Sequence, residues 1–191
     1  MNSTSGSWPL SRESRRFPSS TRTVGVEIAR LVMLGVVATA LHAATRGRFK
    51  LPPGHQGLAW IALVMIGRLT SGLRWAGVTT ALGASGATLM PLWRLGDPFL
   101  SISYLAAGTT IDMFCRVRPA WQGHLWVLAI LGGMAHATKP LVRFLITGFT
   151  GWRYESLMAG LPFPVASHFL FGAMGTLLGA GLIWARRSKR E

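Results

Sequence analysis

Six apolar stretches, separated by short basic or Pro- and Gly-containing turns, constrain the fold of this chain more than any other feature. A helix that spans a bilayer needs about 20 predominantly apolar residues. Only 14% of the residues are charged, whereas soluble domains carry about a quarter. The pattern predicts an all-α polytopic membrane protein, a bundle of six transmembrane helices over residues 24–44, 57–71, 75–93, 99–115, 121–149 and 164–185.

Basic residues bracket the apolar region. Residues 1–23 form a polar, Arg-containing segment, interpreted as a disordered cytoplasmic tail, and residues 186–191 form a second basic tail. Lys and Arg accumulate on the cytoplasmic side of membrane proteins, so six spans predict that both termini of the 24–185 domain are cytoplasmic. The expected location is the bacterial cytoplasmic membrane. Three basic residues violate the rule because they fall on the outer side: Arg46, Arg48 and Lys50.

The net charge of +14 raises the question of a nucleic-acid partner. The basic clusters instead flank the first and last spans, where they would contact anionic membrane lipids. We therefore predict lipid contacts and no nucleic-acid binding. Tryptophans near the predicted helix ends are typical of an interfacial aromatic belt, namely Trp60, Trp75, Trp93, Trp121, Trp152 and Trp184.

Small residues recur at four-residue spacing in the first helix. Gly35 and Thr39 form one such pair, and Ala40 and Ala44 form another. This spacing allows helix backbones to approach closely in lipid. The contacts can lie within the chain, which is the default interpretation, or receive a partner subunit, for which the first helix is the candidate interface.

No sequence motif of a known enzyme class is present: the chain has no H-E-x-x-H, P-loop or G-x-S-x-G. His and acidic residues are too scattered to predict a metal site, and the single cysteine, Cys115, is interpreted as a packing residue. The sequence predicts neither an enzyme nor a bound cofactor.

Polar residues of the outer half are the candidates for ligand binding. His136, Lys139 and Arg143 are spaced at i, i+3 and i+7, which places them on one helical face. Cations at membrane depth usually face a cavity or a partner, so these residues predict a polar pocket. In the alternative, Lys139 and Arg143 snorkel to the outer headgroups, with the span ending near Lys139.

The fourth helix and two outer loops add further candidates. Tyr104 lies in the outer half of that helix, and Asp97 precedes it at the outer mouth, whereas the spacing of Asp112 and Arg116 predicts a structural ion pair. Loops on a rigid scaffold often carry binding residues. The loop candidates are His55, Trp152 and Arg153, with Tyr154 and Glu155 in the same loop cluster. His168 is a further candidate pocket residue.

One part of the chain is similar to a known family. The run from Gly67 to Gly83, the turn Gly96-Asp97-Pro98 and the helix from Tyr104 to Asp112 resemble parts of the substrate-binding S components of energy-coupling factor (ECF) transporters. Many of these have a similar basic turn, small-residue helix, extracellular turn and Gly-containing helix that ends in Asp. The likeness covers residues 24–185 in layout and 60–112 in local sequence.

The resemblance implies a subunit that binds a vitamin-like micronutrient from the outer side. It also implies docking on a transmembrane coupling protein that carries two cytosolic ATPases, with Ala40 and Ala44 matching the family's A-x-x-x-A motif. Cationic lining by Lys139, Arg143 and Arg153 favours a substrate with carboxylate or phosphate groups. The alternative is a non-catalytic accessory or assembly subunit of a larger membrane complex, for which no ligand would exist.

Overall fold

The computed structural model describes residues 21–45, 52–91, 95–117, 123–158 and 160–188. The tail up to residue 20, the basic residues at 46, 48 and 50, the tryptophans at 93 and 121, and residues 189–191 lie outside this part. Its regular elements are six α-helices and one short 3-10 helix, without a strand in the described ranges. They are α1 (Thr21–Thr45), α2 (Gly57–Thr70), α3 (Ala76–Thr88), α4 (Leu100–Val117), α5 (Leu125–Thr150), the 3-10 helix (Glu155–Leu157) and α6 (Pro162–Ser188).

The helices confirm the all-α prediction and differ in length. Three are long and apolar enough to cross a membrane, over Thr23–Thr45, Leu125–Thr150 and Pro162–Arg186. α2 has 14 residues and α3 has 13. At 1.5 Å per residue, these two helices are only about 20 Å long. The bundle therefore combines long helices with shorter ones packed among them.

Glycines allow the helices to pack at backbone distance. α1 packs on α3, α2 on α6, and α5 on both α4 and α6. A Cβ at Gly35 would overlap the carbonyl oxygen of Thr80, and one at Gly132 would overlap the Thr176 hydroxyl. Packing density replaces hydrophobic attraction when helices associate in lipid. These small residues therefore set the helix spacing within the chain.

The small residues of α1 divide between the interior and the surface. Thr39 is fully buried, and its hydroxyl donates to the carbonyl oxygen of Ala84 in α3 at 3.1 Å. Gly35 faces the same helix. Ala40 is half-buried and Ala44 is exposed. The part of this stripe that remains accessible to another subunit is thus the end of α1.

Asp112 connects three helices at the end of the bundle where α3 begins. Its carboxylate accepts hydrogen bonds from the backbone N–H groups of Gly77 at 3.0 Å and Val78 at 2.7 Å. The Nε atom of Arg68 lies 3.6 Å from the same carboxylate. The expected pair with Arg116 is replaced by these contacts, because the first turn of α3 offers unsatisfied N–H donors. The Arg116 guanidinium lies over the ring of Trp75 instead.

Candidate functional site

Polar side chains from four helices and two loops converge where α1, α3 and α5 end and α2, α4 and α6 begin. We call this region the polar end and define it by His42, Tyr104, His136, Lys139 and His168, together with Asp97, Arg143 and Tyr154. Buried polar groups are costly unless they are hydrogen-bonded. Their concentration at one end of a largely apolar bundle marks this region as the candidate site.

Two histidines form the centre of the polar end. The rings of His136 in α5 and His168 in α6 have centroids 4.7 Å apart, and both side chains are buried. His136 Nε2 lies 3.1 Å from the carbonyl oxygen of Gly54, and His168 Nδ1 lies 2.7 Å from that of Pro164. A carbonyl can only accept, so each ring must use these nitrogens as donors. When neutral, each ring then keeps its other nitrogen as an acceptor.

The loop between α1 and α2 lies directly on the histidine pair. A Cβ at Gly54 would stand 2.9 Å from the His168 ring, and one at Gly57 would overlap the His136 ring. Gly54 also has a φ of 93°, in the left-handed region that favours glycine. The Ser167 hydroxyl donates to the carbonyl of Pro53. Residues 53–57 therefore cover the two rings closely.

Lys139 lies in the bundle beside the histidines. Its side chain is only 6% exposed, and α5 continues past it to Thr150. The side chain is thus enclosed by the bundle, and the helix continues past the position where the snorkelling alternative ends the span. Pro140 follows inside α5, and because proline has no N–H, the carbonyl of His136 lacks the usual helical donor. A cation and a backbone acceptor thus lie close together on one stretch of α5.

Tyr104 connects α4 to α1 and α2. Its hydroxyl lies 2.6 Å from Nδ1 of His42, and its ring packs on Trp60 with a centroid distance of 4.4 Å. Trp60 is 3% exposed, so its predicted place in an interfacial belt is wrong. Trp60 packs on Tyr104 inside the bundle instead, and paired aromatic rings add stability beyond the area that they bury.

Asp97 and Arg143 form an ion pair at the rim of the polar end. Arg143 Nη2 lies 2.8 Å from Asp97 Oδ2, with side-chain exposures of 17% and 11%. Arg143 Nη1 donates to Ser156 Oγ at 3.3 Å, and the guanidinium lies 4.8 Å from the ring centroid of Tyr154. The Tyr154 hydroxyl donates to Asp97 Oδ1 at 3.2 Å. The pair therefore ties the loop after α5 to the turn before α4.

The environment of Tyr154 favours the neutral form of its phenol. Burial raises the pKa of Tyr154 to about 12, and the neighbouring negative charge of Asp97 acts in the same direction. A neutral phenol keeps the proton that it donates to the carboxylate. The hydrogen bond from Tyr154 to Asp97 is consequently intact throughout the physiological pH range.

The structure unites most of the residues predicted from the sequence and separates a few. His136, Lys139, Arg143, Tyr104 and Asp97 all belong to the polar end. His55 lies beside it, with Nδ1 3.0 Å from the carbonyl of Pro52 and the ring against Phe171. Trp152 is 45% exposed and meets Phe99 edge-on. Arg153 is exposed, outside the enclosed group.

Several residues in or beside the polar end carry weak sequence signals. His42 is the one histidine inside the first apolar stretch, and Trp60 lies in the second. Their roles depend on Tyr104, which is distant in sequence, so local spacing does not indicate them. His168 and Tyr154 likewise acquire partners only when α5, α6 and their loop fold together.

The described residues contain no group of three or more His, Cys, Asp or Glu side chains that could hold a metal ion. The polar end instead offers imidazole, phenol, ammonium and guanidinium groups, which suit hydrogen bonding and charge pairing with an organic ligand. The chain matches no family model, and no curated protein or solved structure is significantly similar to it.

Proposed function

We propose that this chain is an integral-membrane subunit that binds a small anionic micronutrient at the polar end. The observation that carries the proposal is the convergence there of buried polar side chains from helices distant in sequence. His136, Lys139 and His168 are each less than 7% exposed. Ligand sites are mostly apolar and include a few convergent polar groups, which is the composition of this end of the bundle.

The proposed topology has six membrane crossings and both termini in the cytoplasm. The three long apolar helices are the core of this arrangement. The short helices α2 and α3 cross together with their flanking turns, sheltered by the long helices. The polar end then faces outward, and exposed arginines at the opposite end, Arg74, Arg116 and Arg186, face the anionic inner leaflet.

An anionic substrate follows from the charges in the region. Lys139 and Arg143 are cationic, and Asp97 is the acidic side chain in contact with Arg143. Arg and Lys bind carboxylate and phosphate groups by charge-assisted hydrogen bonds. The aromatic rings of Trp60, Tyr104 and the two histidines complete the proposed site with apolar faces for the rest of the ligand.

We further propose a role like that of an S component of an ECF transporter, with delivery of the substrate to a coupling protein and its ATPases. The exposed end of α1, with Ala40 and Ala44, is the proposed docking surface for that coupling protein. The alternative of an accessory subunit has less support, because Gly35 and Thr39 are used in contacts within the chain.

Native mass spectrometry of the gently solubilised, affinity-purified chain tests the proposed function. A small anion retained at one-to-one stoichiometry is expected, and the Lys139→Ala and Arg143→Ala variants should each lose it. Arg74→Ala, at the opposite end, is the matched control and should retain it. Stable protein partners without any small ligand would instead identify an accessory subunit.

A further inference from the structure

The guanidinium of Arg143 has hydrogen-bond partners at two of its nitrogens and none at the third. Nη2 binds Asp97 and Nη1 binds Ser156. The third donor, Nε, is buried and has no hydrogen-bond partner among the described residues. A buried N–H donor is costly to leave without an acceptor, so this atom has unused capacity for one.

Asp97 contacts Arg143 through only one of its two oxygens. Oδ2 accepts a hydrogen bond from the guanidinium. Oδ1 accepts hydrogen bonds from the backbone N–H of Phe99 at 3.1 Å and from the Tyr154 hydroxyl at 3.2 Å. If the contact with Arg143 is broken, the carboxylate therefore keeps two donors. Arg143 in turn keeps Ser156 and the Tyr154 ring. The ion pair can open without leaving either residue unsupported.

We propose that Asp97 is an internal competitor for the anionic group of the substrate, which replaces Oδ2 of Asp97 on Arg143 and also accepts from Nε. This inference rests on the proposed function, because it concerns the same site. Arg143 presents the fork of N–H donors that matches a carboxylate or phosphate group. Asp97 thereby sets specificity, since a neutral ligand gains nothing from displacing it.

The exchange also connects binding to the loop after α5. Asp97 holds that loop through Tyr154, and Arg143 holds it through Ser156. When the substrate anion takes Arg143, the contact through Ser156 stays and the direct link between α5 and the turn before α4 is released. Both contacts of the loop therefore remain, and the bound anion replaces only the direct contact between Arg143 and Asp97.

The test is a titration of the purified full chain in nanodiscs with two anionic probes, benzoate and inorganic phosphate, and with neutral benzyl alcohol. Asp97→Asn keeps the size of the side chain and an oxygen for Phe99, but removes the competing charge. The variant removes the charged acceptor that an anion must otherwise displace from Arg143, so we expect it to bind at least one anionic probe about tenfold more tightly. Affinity for benzyl alcohol should stay unchanged.

Glu155→Gln is the matched control, because it removes a unit charge from the exposed neighbouring position. A gain of similar size in Glu155→Gln would indicate general electrostatics and overturn the competition. The double variant Asp97→Asn with Arg143→Gln should lose the gain. A wild-type chain that binds a probe as tightly as Asp97→Asn would refute this inference alone.

Phenylglyoxal modification of Arg143, located by peptide mass spectrometry, gives a second readout. Benzoate should protect Arg143 more strongly in Asp97→Asn than in the wild type, and equal protection would count against the exchange. If neither anion binds or protects any variant, the anionic site itself fails, and the proposed function fails with it.

Discussion

Asp112 is the side chain whose removal should damage the bundle most. It is fully buried and accepts two backbone N–H groups from the first turn of α3. It also lies 3.6 Å from Arg68, which is 8% exposed. Replacement by alanine would leave the two N–H groups without this acceptor and the guanidinium without its carboxylate.

The expected cost follows from these contacts. Breaking a buried ion pair by removing one partner costs about 3–5 kcal/mol, because a charge stays buried without compensation. The cost of losing the hydrogen bonds to α3 is largely included in that range, because the same carboxylate accepts them and pairs with Arg68. We therefore expect Asp112→Ala to lower the free energy of unfolding by about 3–5 kcal/mol. Asp112→Asn keeps one acceptor oxygen and should cost about 1–3 kcal/mol.

Equilibrium unfolding in mixed micelles, titrated with SDS and followed by tryptophan fluorescence and helicity, measures this difference. Glu27→Ala is the control: it breaks an ion pair of 2.8 Å with Arg30, but these side chains are 24% and 40% exposed. Exposed pairs contribute less than about 1 kcal/mol. If Asp112→Ala is no more destabilised than Glu27→Ala, the assignment of Asp112 as the anchor of α3 is refuted.

Three further predictions concern packing and the polar end. Gly35→Ala should destabilise the chain by about 1–3 kcal/mol in the same assay, because its Cβ meets the α3 backbone; Gly25→Ala, which meets nothing within 4 Å, should not. Tyr104→Phe keeps the ring on Trp60 but loses the contact with His42, and should cost about 1 kcal/mol; an unchanged unfolding midpoint would contradict that contact. Because the pKa of Tyr154 is raised from 10.0 to about 12, its contribution to stability is complete below pH 10 and is lost as the pH rises through about 12. Tyr154→Phe should remove that part of the alkaline loss, and an identical alkaline profile would show that the phenol does not titrate there.

The helices of this fold are predictable from the sequence because apolar runs and turn residues act locally. The predicted start of α2 at Gly57 agrees with the structure, and most other helix ends lie within four residues of the prediction, but α3 ends at Thr88, five residues before the predicted end at 93. Likewise, the spacing of His136, Lys139 and Arg143 places them on one face of α5. Residue spacing therefore predicts which side chains share a face of their own helix.

Partners across the bundle are not predictable in this way. Asp112 and Arg116 have a spacing that favours an ion pair, yet the open N–H groups of α3 compete more effectively for the carboxylate. Trp60 has the position of an interfacial residue, but Tyr104 provides a buried aromatic partner. These outcomes depend on which helices become neighbours, a property of the whole chain.

Two carboxylate–arginine contacts, Asp112–Arg68 and Asp97–Arg143, lie at opposite ends of the bundle and differ in burial and in hydrogen bonding. Asp112 is fully buried, and both of its carboxylate oxygens accept backbone N–H groups of α3. If this side chain moved, those two N–H donors would be left without an acceptor. Asp97 is 11% exposed and contacts Arg143 through one oxygen, while its other oxygen retains two donors. Neutralising the first should therefore change stability, and neutralising the second should change anion affinity. Since both changes are Asp→Asn, a comparison of the two variants in both assays separates the two roles directly.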